Sequence, residues 1–144
     1  MALVHGSCVD VSGVGVLLRG PSGSGKSDLA LRLIGGGARL VADDQVKVNA
    51  AGGALSASAP TAIAGLLEVR GLGPVPVAAA ASAPLRLVYD LVEPEAVERL
   101  PAPETVTYED IEVPLLRVAP FEASAPDKVR LAARWAKLGM LSAR

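Results

Sequence analysis

The stretch GPSGSGKS, at residues 20–27, decides the fold of this 144-residue sequence. It satisfies the pattern G-x-x-x-x-G-K-[ST] in full, follows an apolar run at residues 14–19, and precedes apolar residues at helical spacing. Glycines let successive backbone N–H groups converge on phosphate oxygens, and the positive end of the following helix points at the same place. The stretch therefore predicts a strand, a phosphate-binding loop and a helix in succession.

The same loop predicts a site for a nucleoside triphosphate with Mg²⁺. Lys26 has the reach to contact the β- and γ-phosphates as a point charge, and the Ser27 hydroxyl is placed to ligate Mg²⁺. The alternative is a Gly- and Ser-rich turn before a helix, but such a turn does not require Lys followed by Ser. The predicted cofactor-binding residues are Gly20, Pro21, Ser22, Gly23, Ser24, Gly25, Lys26 and Ser27.

A phosphate-binding loop works with a carboxylate at the end of a neighbouring strand, which holds Mg²⁺ or orients the nucleophile. Two runs end in this way, LVADD at residues 40–44 and LRLVYD at residues 85–90. Because side chains alternate along a strand, we expect Asp43 and Asp44 to point to opposite faces, so that one of them faces the phosphates. We favour this pair over Asp90, which we interpret as a strand-end carboxylate without a catalytic role. A solvated turn is the alternative for the pair.

Hydrophobic patterning predicts four strands and two helices. The strand candidates are residues 3–11, 14–19, 39–48 and 85–92, with turn signals at residues 12–13 and 51–53. The first helix follows the loop and ends at the glycines of residues 35–37. The second begins near residues 124–127 and presents Leu131, Trp135 and Leu138 on one face toward the sheet. We expect an α/β fold with a mixed central sheet and flanking helices, in one domain over residues 1–144.

Size, charge and cysteine content narrow the function classes. The formal net charge of −1 gives no long-range field that would gather nucleic acid or an anionic membrane, so any phosphate must be bound locally. Neither nucleic acid nor a membrane is expected as a partner, since no basic stripe and no bilayer-length apolar stretch occurs. The single cysteine, Cys8, and the absence of a secretory signal pattern predict a soluble, cytoplasmic protein.

Four segments in order resemble the motifs of the catalytic domain of HPr kinase/phosphorylase. They are His5, GPSGSGKS at residues 20–27, LVADDQVKV at residues 40–48, and LLEVRGLG at residues 66–73. The resemblance implies a nucleotide-binding fold of the HPr kinase and phosphoenolpyruvate carboxykinase-like type. It also implies an enzyme that uses ATP and Mg²⁺ to phosphorylate a seryl hydroxyl of the small carrier protein HPr, that reverses this by phosphorolysis, and that assembles as a hexamer. We expect a short form without the family's N-terminal domain.

By position, the resemblance also implies roles for individual residues. His5 matches the family's active-site histidine, Lys26 its loop lysine, and Ser27 and Glu68 its Mg²⁺ ligands. Asp44 matches the carboxylate that accepts the seryl proton and returns it in the reverse reaction. Asp43 would lie beside it in the metal site.

The segment around Glu68 supplies two further candidates from the family's signature stretch, Arg70 and Gly71. Glu68 and Arg70 share a face if residues 67–72 are extended, where they could serve the metal and the phosphates. A surface ion pair is the alternative for these two residues. Arg99 aligns loosely with an active-site arginine of the family.

The last third of the chain departs from the family pattern. Where the family carries a Pro-Val-Arg-Pro-Gly-Arg-Asn-like loop that engages HPr and supports phosphorolysis, residues 116–124 read LRVAPFEAS. The glycine and arginines of that loop find no match. Three interpretations therefore stay open: a serine kinase for an HPr-type carrier, a small-molecule kinase, and a nucleotide-sensing module with little turnover.

Overall fold

The computed structural model describes residues 1–141, which form a large mixed sheet, a two-stranded hairpin and two helices. The strands are β1 (Ala2–His5), β2 (Ser7–Val11), β3 (Val14–Arg19), β4 (Arg39–Ala42), β5 (Gln45–Ala51), β6 (Ala54–Ser58), β7 (Leu66–Val69), β8 (Gly73–Pro76), β9 (Ser82–Leu91), β10 (Thr105–Tyr108) and β11 (Ile111–Val118). The helices are α1 (Lys26–Gly35) and α2 (Ala125–Lys137), and short 3₁₀ turns occur at Thr61–Ile63 and Pro94–Ala96.

Strand β9 is the centre of the large sheet. The sheet order is β1-β5-β6-β9-β3-β2-β4, with β11 also pairing β9 and β10 pairing β11. Strand β9 runs parallel to both β3 and β11, so that Arg19, Asp90 and Arg117 lie side by side. The carboxyl ends of these three strands therefore share one edge of the sheet, and the phosphate-binding loop begins there.

Both faces of β2 and β3 are covered. Side chains alternate along β3, so that Val16 and Leu18 pack beneath the two helices while Leu17 packs on the opposite face. Strand β2 is buried at every residue, and β3 at every residue but Arg19. Burial on both faces explains why β3 is a continuous apolar run and does not alternate apolar and polar residues.

Two runs that the sequence predicts as single strands are each divided in the structure. The run at residues 3–11 breaks at Gly6, where a Cβ atom would lie 2.6 Å from the carbonyl oxygen of Leu18. The run at residues 39–48 breaks after Asp43, because Asp44 adopts a left-handed conformation with φ 69°. Both single-strand predictions were therefore wrong.

Helix α1 ends at Gly35, as predicted, but the buried face of α2 differs from the prediction. Small residues pack on the sheet: Ala125, Val129, Ala132 and Ala133 are buried. In contrast, Leu131 is 49% exposed, and Leu138 lies beyond the helix and is 65% exposed. Leu131 and Trp135 line a groove of about 240 Å³ between α2 and residues 96–102. Trp135 is half-buried and packs against the core, as predicted. Hydrophobic spacing predicted that large side chains face the sheet. The helix lies close to the sheet, and most of the residues that fit between them are alanines.

The buried thiol of Cys8 gives a pH-dependent prediction. Burial raises the pKa of this thiol from 9.0 to about 12, and the charge of Asp10 adds to the effect. Above pH 9 the thiolate forms more readily in the unfolded chain, so the free energy of unfolding is expected to fall by roughly 1 kcal/mol per pH unit. Chemical denaturation between pH 8.5 and 10.5 measures this slope. A Cys8→Ala variant should have a shallower slope, and equal slopes would contradict the prediction.

Candidate active site

The phosphate-binding loop joins β3 to α1, as the sequence predicts. Gly23 and Gly25 have φ angles of 82° and 101°, in the left-handed region that glycine adopts without strain. Gly25 is the N-cap residue of α1, and its carbonyl oxygen accepts the hydrogen bond of the Leu29 N–H at 2.9 Å. Lys26 and Ser27 are the first two residues of the helix, so both lie at its positive end.

Lys26 folds back over the loop. Its Nζ donates hydrogen bonds to the carbonyl oxygens of Gly20, at 2.6 Å, and Pro21, at 2.9 Å. Burial lowers the pKa of this ammonium group, while the charges of Asp43 and Asp44 oppose the shift. A phosphate group bound in the loop would contact the Lys26 ammonium group, which the loop carbonyl oxygens already hold in position.

Asp43 connects the loop to two other parts of the chain, β2 and β7. Its carboxylate accepts hydrogen bonds from Ser7 Oγ at 2.7 Å, Ser27 Oγ at 3.1 Å and the backbone N–H of Glu68 at 3.0 Å. The residue is only 7% exposed. These donors fix the carboxylate beside the first turn of α1. Ser7 was not predicted, and its one signal in the sequence is a hydroxyl at the start of an apolar strand.

Asp44 occupies a different environment from its neighbour. Its side chain is 72% exposed, and its Oδ1 lies 3.5 Å from Nδ1 of His5, which is also exposed. The Gly6 N–H donates to the Asp44 carbonyl oxygen at 3.1 Å and holds the turn. The two carboxylates thus separate as expected, although a left-handed residue and not strand alternation separates them. Left-handed conformations of residues other than glycine are strained and occur preferentially at functional sites.

One pocket of about 410 Å³ brings most of the predicted residues together. The predicted residues that line it are His5, Ser22, Gly23, Gly25, Lys26, Ser27, Asp43, Asp44, Glu68 and Arg70. Ser7, Asp28 and Phe121 also line it and were not predicted. Phe121 comes from residues 116–124, the segment that departs from the family pattern.

Five predicted residues do not line this pocket. Gly20, Pro21 and Ser24 belong to the loop, but the last two line a neighbouring cavity and Gly20 lines neither. Gly71 lies in the turn after β7, and Arg99 is exposed after the 3₁₀ turn that follows β9. Residues 67–72 are not extended throughout, because β7 ends at Val69. Glu68 and Arg70 nevertheless border the same pocket.

Asp90 is engaged in an ion pair next to the loop. Arg19 donates from Nε and Nη2 to the two Asp90 carboxylate oxygens at 2.7 and 3.0 Å, and from Nη1 to Tyr108 Oη at 3.1 Å. The hydrogen bond to Asp90 raises the pKa of the Arg19 guanidinium further above its usual range. Because Arg19 directly precedes Gly20, this bidentate pair anchors the start of the loop to β9 and β10.

Comparison with known proteins gives concordant matches. Residues 1–119 match the family model described as HPr Serine kinase C-terminal domain. The HPr kinase/phosphorylase of Brevibacillus brevis is 55% identical over 71 residues, and that of Clostridium tetani is 54% identical over 70 residues. Each match covers 49% of this chain and 23% of the relative. The matched part thus spans about a quarter of the length of these curated relatives.

A solved structure resembles the whole fold. The Hpr(Ser) kinase/phosphatase from Coxiella burnetii superposes with a TM-score of 0.86 and 26% sequence identity, over 97% of this chain and 99% of that chain. The predicted fold, a mixed sheet with flanking helices, is confirmed, and the two helices of residues 1–141 pack on the same face. With a family model that matches most of its length, the chain belongs to the HPr serine kinase C-terminal domain family.

Proposed function

We propose that this chain is an ATP-dependent kinase that phosphorylates a seryl hydroxyl of an HPr-type carrier protein. The observation that carries the proposal is the position of Asp44. Its exposed carboxylate borders the same pocket as Lys26 and Ser27 of the loop, so an incoming hydroxyl group can reach it from solvent. A proton acceptor and a phosphate-binding loop in one open pocket are what phosphoryl transfer to a protein hydroxyl requires.

In this proposal each residue has one task. The loop and Lys26 position the triphosphate and neutralise its charge, and Asp44 orients the seryl hydroxyl in line with the γ-phosphorus. The seryl oxygen forms the new bond to phosphorus while the bond to the bridging β,γ-oxygen breaks, and the seryl proton passes to a carboxylate oxygen of Asp44. The diphosphate leaves with the electron pair of the broken bond. His5, 3.5 Å from Asp44, would position that carboxylate.

The side chains around Ser27 fit Mg²⁺ bound together with a nucleotide. Among residues 1–141 no group of three or more His, Cys, Asp or Glu side chains forms a metal cage. Mg²⁺ does not need one, because it keeps several waters and is held by one or two carboxylates together with phosphate oxygens. Ser27, Asp43 and Glu68 offer the oxygen ligands that this ion prefers. When bound, Mg²⁺ would supply charge neutralisation at the phosphates.

Two further aspects of the proposal concern the setting of the protein. Neither helix of the described residues combines the length and apolar character needed to cross a bilayer. We propose a cytoplasmic location, in agreement with the family resemblance and the single buried Cys8. A homo-oligomer, a hexamer by resemblance, and the one-domain organisation over residues 1–144 stay predictions, as does phosphorolysis.

The direct test incubates the chain with γ-labelled ATP, Mg²⁺ and a purified HPr-type carrier. We expect label on one carrier serine, and no label when that serine is replaced by alanine or when the enzyme carries Lys26→Ala. Binding of Mg-ATP without transfer to any carrier would contradict the proposed kinase and favour the nucleotide-sensing interpretation.

A further inference from the structure

Phe121 has an exposed aromatic ring and no role in the proposed phosphoryl transfer. It lies between β11 and α2, and 71% of its surface is exposed. The ring lies against the phosphate-binding loop, because a Cβ atom at Gly25 would be 2.9 Å from Phe121 Cζ and 3.2 Å from Cε1. An apolar side chain this exposed beside a ligand-binding loop is a candidate contact for the ligand.

The backbone on both sides of the ring is fixed to helix α1. Arg32 donates a hydrogen bond from Nη2 to the Pro120 carbonyl oxygen, and from Nη1 to that of Glu122 at 3.4 Å. Its Nε donates to Asp28 at 3.1 Å, which orients the guanidinium group. Phe121 is therefore held next to the loop before any ligand arrives, so little ordering entropy opposes binding on it.

Phe121 also separates two cavities. On one side it borders the phosphate pocket with Lys26 and Asp44, and on the other it borders a cavity of about 470 Å³. The loop residues Pro21 and Ser24 form one wall of this second cavity. Leu91, Val92 and Glu93, which follow the end of β9, line it as well.

We infer that the second cavity holds the base of the nucleotide, stacked on Phe121. This inference rests on the proposed function, which places the β- and γ-phosphates at Lys26 and Ser27. Asp43, Asp44 and Glu68 border the phosphate pocket and not the second cavity, which leaves the second cavity as the adjoining space for the nucleoside. The ring of Phe121 adjoins the loop at Gly25. Stacking of a base on an aromatic ring tolerates different bases, because every base has a π-face.

Glu93 adds a polar contact to this subsite. Among the described residues that line the second cavity, it is the one with a charged side chain. An ionised carboxylate only accepts hydrogen bonds, so it would pair with a ribose hydroxyl or with an N–H group of the base. Leu91 and Val92 offer apolar contact to the remainder of the nucleoside.

Calorimetric titrations with Mg-ATP and with Mg-tripolyphosphate separate the base from the phosphates. We expect the unmodified chain to bind Mg-ATP roughly 10-fold more tightly than Mg-tripolyphosphate, the contribution typical of one stacked base. The Phe121→Ala variant should lose this difference and keep its affinity for tripolyphosphate. Phe121→Tyr should restore the preference, whereas Phe121→Leu, which keeps apolar area without a π-face, should not. Leu138→Ala serves as the control, because Leu138 is similarly exposed, at 65%, and lines neither cavity.

The possible outcomes distinguish this inference from the proposed function. Equal affinities of the unmodified chain for the two ligands would overturn the base subsite and leave the phosphate site intact. A loss of tripolyphosphate affinity in Phe121→Ala would show that the ring supports the loop and not a base. Unchanged nucleotide binding with reduced carrier phosphorylation would assign Phe121 to the protein substrate instead. Failure of both ligands to bind would overturn the proposed function itself.

Discussion

Replacement of Asp44 by asparagine is expected to lower kcat for carrier phosphorylation by about 10²- to 10⁴-fold, the usual contribution of a general base. The amide keeps the shape of the side chain but has no capacity to accept the seryl proton. Asparagine also tolerates the left-handed conformation that Asp44 adopts with φ 69°, so the turn between β4 and β5 should persist. Steady-state rates with a purified HPr-type carrier measure the effect.

The affinity for Mg-ATP should remain within about threefold of the unmodified value in this variant, because the Asp44 carboxylate is exposed and is paired with His5. Asp110→Asn is the matched control, since Asp110 is also an exposed aspartate with a left-handed backbone, φ 64°, in a turn between strands. A kcat for Asp44→Asn equal to that of Asp110→Asn would remove Asp44 from the proposed chemistry.

Replacement of Lys26 by alanine is expected to weaken Mg-ATP binding by about 100-fold or more. Truncation of one partner of a desolvated, hydrogen-bonded charge pair costs about 2–5 kcal/mol, and Lys26 is a buried cation that is hydrogen-bonded to the loop backbone. Calorimetric titration with Mg-ATP measures the loss, and a thermal unfolding curve checks that the variant is folded.

Lys137→Ala is the matched control for this experiment. The Lys137 Nζ also donates to a backbone carbonyl, that of Ser12 at 2.9 Å, but it is exposed and lies outside the pocket. We expect its nucleotide affinity to be unchanged. Equal Mg-ATP uptake by Lys26→Ala and the unmodified chain would contradict both the phosphate site and the kinase built on it.

The sequence predicted those elements of the fold whose backbone conformation depends on residues close together in the chain. The glycines of the loop, the strand before it and the helix after it follow from spacing alone, and so does the helix end at Gly35. The break at Gly6 was not predictable in this way, because it depends on the Leu18 carbonyl oxygen of another strand. Strands β10 and β11 were not predicted either, since pairing along β9 is a tertiary contact.

The sequence predicted most of the residues of the candidate site but not the contacts between them. The spacing of Asp43 and Asp44 indicated two environments, yet only the fold brings the backbone N–H of Glu68 to Asp43. Ser7 and Phe121 escaped prediction because a lone hydroxyl and a lone aromatic ring carry no motif. The roles of Arg99 and Gly71 stay predictions, and neither residue borders the pocket.

Asp43 links nucleotide binding in the loop to the attachment of the β7–β8 hairpin, because both involve its carboxylate. The same carboxylate accepts hydrogen bonds from Ser27, in the first turn of α1, and from the N–H of Glu68 in β7. A bound Mg-nucleotide that interacts with the Asp43 carboxylate would therefore change its hydrogen bond to the hairpin that carries Arg70. If a partner protein binds this hairpin, its binding and nucleotide binding are linked. The partner then changes the affinity for the nucleotide by the same factor by which the nucleotide changes the affinity for the partner.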